Sequence, residues 1–150
     1  MRIVVQRVLE AQMVVNGEPF SEINEGLMVL IGVEHDDTTE DMEWLVNKLL
    51  KMRIFDDENG VMNFDVTQVA GEIMLVSQFT LHASTRRGNR PSYIKAAPES
   101  ISRPLYEKFV ERTRQLFGAK VATGVFGADM QISMVNNGPV TIIIDSKVRE

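Results

Sequence analysis

A mixed α/β domain is predicted, with several strands forming a sheet and two principal helices covering it. Three observations carry that prediction. Residues 26–33 form an unbroken apolar run, the pattern of a strand buried on both faces. Two later stretches repeat apolar residues at helical spacing. A β-branched run over residues 131–144 reads as strand, yet carries Gly138-Pro139 in its middle.

Taken in order, residues 2–15 are rich in Val, Ile and Leu and end at Asn16-Gly17, a hairpin-type turn. After the run at 26–33, Asp37 offers an N-cap with Glu40 three residues on, the spacing of a capping box. Met42, Leu45, Val46, Leu49 and Leu50 then predict a helix to about Met52. Residues 56–60 form a turn. Residues 71–81 predict a central strand whose C-terminal end turns polar. Residues 82–98 hold Gly, Ser, Asn and two prolines and predict a long loop. Ser102 and Pro104 open a second helix, with Leu105, Phe109, Val110, Thr113, Leu116 and Phe117 inward and an end near Gly118. A glycine-bearing stretch, 123–128, precedes a hairpin-like pair of strands around Asn137-Gly138.

The chain's 150 residues suit one domain spanning 1–150. At 44% hydrophobic and 25% charged it can bury a core. Its net charge of −5 leaves no overall basic field, so an anionic partner must be met by a local patch. The absence of cysteine excludes disulfides, thiol catalysis and Cys-built zinc sites. Charges interrupt the apolar run within the first seven residues, unlike a signal peptide. No stretch approaches the ~18 apolar residues of a membrane span. A soluble cytoplasmic protein is expected.

His35 and His82 lie far apart with no second ligand at metal spacing, and no metal site is expected. The acidic window 34–43 is most simply a helix N-terminus favoured by the macrodipole. The loop 86–95 is different: Arg86, Arg87, Arg90 and Lys95 occur with Tyr93 interleaved and no acid among them. It reads either as an anion-binding patch suited to phosphates or as solubilising charge. Ser77-Gln78-Phe79-Thr80 sits where a buried strand ends, offering hydroxyls, an amide and backbone N–H groups. Strand alternation would send Ser77 and Phe79 to one face and Gln78 and Thr80 to the other. Its alternative is a plain polar strand end. Gly138-Pro139 reads either as a bulge on an edge strand or as a backbone shaped for a ligand, since X-Pro is the bond where cis is inexpensive.

These segments occur with Met1-Arg2, Val4-Val5-Gln6-Arg7-Val8, Gly17-Glu18, Gly26-Leu27, Trp44-Leu45, Arg53-Ile54-Phe55, Gly88-Asn89-Arg90-Pro91-Ser92, Gly127-Ala128-Asp129-Met130 and Asn136-Asn137-Gly138-Pro139-Val140-Thr141. Over nearly its whole length the chain resembles the D-aminoacyl-tRNA deacylase family, formerly described as D-tyrosyl-tRNA deacylases. Asn137 and Ser84 depart from the family pattern, where acids are expected.

The resemblance implies a barrel-like core and a homodimer with a composite site. Gly138-Pro139 would be cis and project from one protomer into the pocket of the other. Ser77, Gln78, Phe79 and Thr80 would line that pocket, Arg7 would fix the Gly-Pro ridge, and Met130 would lie near the adenosine. The basic loop would meet the tRNA. The implied reaction is hydrolysis of the ester of D-aminoacyl-tRNA, and of mischarged glycyl-tRNA, with L-aminoacyl groups rejected sterically. No cofactor is implied. Two readings stay open beside it: a non-catalytic RNA-binding dimer, and a threonine or serine esterase acting on small acyl substrates.

Overall fold

The computed structural model describes residues 1–149. In chain order the elements are β1 (Arg2–Val15), β2 (Glu18–Ile23), β3 (Gly26–Gly32), α1 (Thr39–Lys51), β4 (Phe55–Asp56), β5 (Met62–Phe64), β6 (Glu72–Ser77), α2 (Glu99–Phe117), β7 (Val121–Thr123) and β8 (Met130–Asp145). The main sheet runs β2-β1-β3-β6-β7, with β8 along the other edge of β1. β3, β6 and β7 are parallel, and α1 and α2 lie in the two crossovers between them. Pairs involving β1 are antiparallel. The mixed sheet curls into a nearly closed, barrel-like core.

Burial explains the curl. One core packs Leu45, Val46 and Leu49 of α1 and Leu105, Phe109 and Val110 of α2 over Ile3, Val5, Val29 and Leu75. The opposite face encloses a second core of Val8, Met13, Met28, Met74 and Val76, with Met130 and Ile132 against it. The predicted two-sided strand is β3: Leu27, Val29 and Ile31 enter the first core and Met28 the second. The Asn16-Gly17 turn is also as predicted, both residues having positive φ (51° and 84°), as a two-residue hairpin turn requires.

Four expectations are corrected. The first helix is capped by Thr38, not Asp37. The Thr38 side chain accepts from the Asp41 amide while the Asp41 carboxylate accepts from the Thr38 amide at 2.9 Å. Asp37 is occupied elsewhere, accepting from the Met1 ammonium and from the Glu34 amide.

The central strand ends at Ser77, because β3, its partner, supplies no register beyond Ile31, and Phe79–His82 winds into a 3-10 turn. The second helix starts at Glu99, where the Pro98 carbonyl accepts from the Ile101 and Ser102 amides. Pro104 therefore lies inside the helix, and Leu116 is exposed. No hairpin forms at Asn137-Gly138: β8 is one strand along β1, and residues 137–140 leave the ladder as a bulge.

Burial pushes the Asp41 carboxyl up, but hydrogen bonds from Lys147 and Thr38 outweigh it and hold the group well below the usual carboxylate range. A depressed folded-state pKa stabilises fully above the unfolded value of ~3.9 and loses that stabilisation as pH falls through the folded value. Asp41→Asn is therefore expected to lower the urea midpoint at neutral pH, with the gap from wild type closing at acid pH. Thr38→Ala should cost about 1 kcal/mol at neutral pH, as lost caps do, and less at acid pH, because its hydroxyl also donates to the Asp41 carboxylate.

Candidate active site

A half-enclosed cavity of about 330 Å³ lies at the carboxyl ends of the parallel strands, where open α/β sheets bind ligands. Ile31 and Val33 come from the end of β3, Ser77, Gln78 and Phe79 from the end of β6, Phe126 from the segment after β7 and Met130 from the start of β8. The early end of β6 corrects the alternation argument. Ser77, Gln78 and Phe79 all face this cavity, because the chain turns helical instead of continuing to alternate.

Thr80 does not line the cavity directly. Its Oγ1 accepts a 2.6 Å hydrogen bond from Gln78 Nε2, which fixes the Gln78 amide against the wall. Gln78 N–H makes the last bond to β3, donating to the Ile31 carbonyl at 2.7 Å. Beyond it, the Phe79 and Thr80 N–H groups open the 3-10 turn and donate to nothing among the described residues.

Several groups hold the cavity wall. The Tyr106 hydroxyl donates to the Leu75 carbonyl at 2.9 Å, and burial pushes it up to about 12, so it stays a neutral donor. Gly124 leaves room for the Met130 thioether, which a Cβ there would strike. His82 is buried behind the turn with Nδ1 3.3 Å from Glu34 Oε1.

Gly138 and Pro139 stand apart from this cavity and are exposed; their peptide bond is cis. The register explains their position. Gln6 pairs with Thr141 and Val8 with Asn136, leaving residues 137–140 opposite Arg7 alone. Arg7 Nε donates to the Asn137 carbonyl at 3.1 Å, while its Nη1 donates to the Ile54 carbonyl and to Asp56. Asn136 closes the neck: its Oδ1 accepts from the Val140 amide and its Nδ2 donates to Thr141 Oγ1. Arg7 is thus the side chain hydrogen-bonded to the base of the bulge.

Arg86, Arg87, Arg90 and Lys95 are exposed and form no ion pair among the described residues. Their loop is tied to the cavity mouth by an edge-on contact between Tyr93 and Phe79, with centroids 5.1 Å apart. Tyr106 was not legible as a cavity residue, since an aromatic at helical spacing signals core. Phe126 lay in the glycine-bearing stretch that the sequence does mark.

Fold and cavity define the class: a mixed-sheet α/β domain whose cleft is built on main-chain donors at its parallel strand ends. Residues 4–145 match the family described as D-Tyr-tRNA(Tyr) deacylase, and the chain belongs to that family. It is 55% identical over 150 residues to the D-aminoacyl-tRNA deacylase of Flavobacterium johnsoniae and 56% identical to that of Parabacteroides distasonis, covering 100% of each chain in both cases. A solved structure described as a c-Myc DNA Unwinding Element Binding Protein is also similar. It has a TM-score of 0.92 and 39% identity, covering 97% of this chain and 98% of that one. No helix among the described residues is long and apolar enough to cross a membrane.

Proposed function

We propose that this protein is a D-aminoacyl-tRNA deacylase, one catalytic domain over 1–150 working in the cytoplasm. It hydrolyses the ester between a D-aminoacyl group and the 3′-terminal ribose of tRNA, releasing free D-amino acid and tRNA. Its family membership and the names of its relatives support this reading. The observation that carries the chemistry is the pair of unengaged N–H groups at Phe79 and Thr80 beside the cavity.

An aminoacyl ester is already activated, so positioning and oxyanion stabilisation suffice. Water adds to the ester carbonyl, giving up a proton to solvent, and the negative charge developing on the carbonyl oxygen is met by the two N–H groups. The tetrahedral intermediate then collapses, expelling the ribose oxygen, which takes up a proton from water. Ser77 and Gln78 orient the substrate and Met130 bounds the adenosine.

Thr80 acts as a positioning residue, since its hydroxyl is engaged by Gln78 and no base adjoins it. Thr80→Ala should lose less than about tenfold in rate, the worth of one neutral hydrogen bond. Isolation of an acyl-Thr80 adduct by mass spectrometry of quenched reactions would refute that role.

Chiral selection rests on a homodimer. Gly138 and Pro139 do not line the cavity of their own chain. They reach a cavity as the ridge of a second copy, whose exposed β8 also offers Met134, Val135 and Ile143 for contact. Their carbonyls hold the substrate's amino group and leave no room for an L side chain. Glycine, lacking a side chain, passes this filter. Arg86, Arg87, Arg90 and Lys95 contact tRNA phosphates. No cofactor takes part.

The test offers D-aminoacyl-, L-aminoacyl- and glycyl-tRNA and a simple D-amino-acid ester to the protein. Fast cleavage of the first, measurable cleavage of glycyl-tRNA and almost none of the L form are expected. Equal cleavage of D and L forms would overturn chiral selection. Salt-sensitive binding without cleavage would favour the nucleic-acid-binding reading, which the name of one similar structure suggests. Full activity on the simple ester would favour the small-substrate esterase.

A further inference from the structure

We propose that a surface hollow adjoining the cavity seats the cytidine that precedes the terminal adenosine of tRNA, an inference that rests on the deacylase reading above. The hollow measures about 280 Å³ and shares Tyr106 and Phe126 with the cavity. Continuity and size place the nucleotide there. With the ester at Phe79 and Thr80, a strand that leaves the cavity over the shared Phe126 enters the hollow directly. The cavity's 330 Å³ lies at the small end of ligand sites, enough for one aminoacyl nucleoside. The preceding nucleotide must therefore lie outside it, and the hollow is the adjoining concavity.

The chemistry of the hollow matches a cytidylate. Arg103, Glu107, Glu111 and Arg114 repeat every three or four residues along α2, so they share one face of that helix. Cations stand at both ends of the row and carboxylates between them. The Arg103 guanidinium lies 4.9 Å from the centre of the Phe126 ring, and its Nε is shielded from water with no hydrogen-bond partner. Arg103 pairs with Glu99 through Nη2, and since its Nε is shut off from a ligand, Nη1 is the donor it can offer. Arg114 donates weakly to the Val121 carbonyl at 3.4 Å. Glu107 makes no ion pair among the described residues, although it sits four residues from Arg103.

Spare guanidinium donors suit the phosphates on either side of a nucleotide, and an unpaired carboxylate suits an exocyclic amine such as cytosine N4. Phe126, which lines the hollow, supplies an apolar wall for the base.

The test compares binding of two non-hydrolysable probes, 3′-(D-alanylamino)-3′-deoxyadenosine alone and the same compound extended at its 5′ end by a cytidylyl group. Wild type should bind the extended probe about tenfold more tightly, the worth of one charged hydrogen bond. Arg103→Ala/Arg114→Ala should lose that gain while binding the short probe as wild type does. Three results would overturn the proposal: no gain in wild type, a gain that survives in the variant, or equal weakening of both probes in the variant. Cleavage of D-aminoacyl-tRNA by wild type is scored separately, and its absence counts against the deacylase reading and not against the hollow.

Discussion

Phe79→Pro is expected to deacylate D-aminoacyl-tRNA about 10²–10³-fold more slowly than Phe79→Ala, the usual consequence of removing one oxyanion donor. Both variants lose the aromatic ring and its contact with Tyr93. Only the proline also loses the amide N–H. The position accommodates it: Phe79 is the first residue of a helical turn, where proline's fixed φ fits and the N–H has no partner to forfeit. Gln78 before it lies outside the helical region that proline disfavours, with φ −146° and ψ 89°, about 30° in ψ from the usual pre-proline range. Single-turnover rates under enzyme excess check the prediction, with circular dichroism reporting the fold. Similar rates for the two variants would remove main-chain oxyanion stabilisation at this residue from the mechanism.

Gly138→Ala is expected to lower kcat/KM for D-aminoacyl-tRNA by about 10²-fold, as two hydrogen bonds to the substrate ammonium are lost. Gly138 has φ +129°, a region that side chains rarely enter. An added Cβ would also stand 2.9 Å from Val140 Cγ2 and 3.1 Å from Arg7 Nη2. The ridge would be driven off the guanidinium that anchors it, while the fully buried residues of both cores, which exclude Gly138, are not struck.

Mixing decides whether the ridge serves a neighbour. Random dimers of Gly138→Ala and Phe79→Pro chains should regain about a quarter of the wild-type activity. Half of the dimers are mixed, and each of these joins one sound cavity to one sound ridge. Were the ridge to serve its own chain, mixing would restore nothing.

The sequence announces what burial alone decides. Residues 26–33 are apolar throughout because β3 faces a core on each side. Helix α1 is legible from Leu45, Val46 and Leu49 because one face meets the sheet. What depends on a distant partner is not legible. Ser77 ends its strand because β3 runs out of register, which no residue between 71 and 81 records. The cap falls on Thr38 because the N-terminal ammonium claims Asp37. The two halves of β8 share one partner strand, so the expected turn at Asn137-Gly138 becomes a bulge.

The cavity lining and the exposed ridge were legible to the same extent. Ser77, Gln78 and Phe79 were marked by polarity at a strand end, and Gly138-Pro139 by its oddity within one. The wall at Tyr106 was hidden behind a core-like pattern, and the link from Arg7 to Ile54 and Asp56 behind sequence separation.

The neck beneath Gly138-Pro139 is stitched by the side chain of Asn136, not by the strand ladder. The projection is therefore a self-contained clasp. Residues 136–141 should keep their shape when grafted onto another antiparallel edge, provided an arginine waits on the adjoining strand. The proposed ridge then becomes a portable part, separable from the domain that carries it.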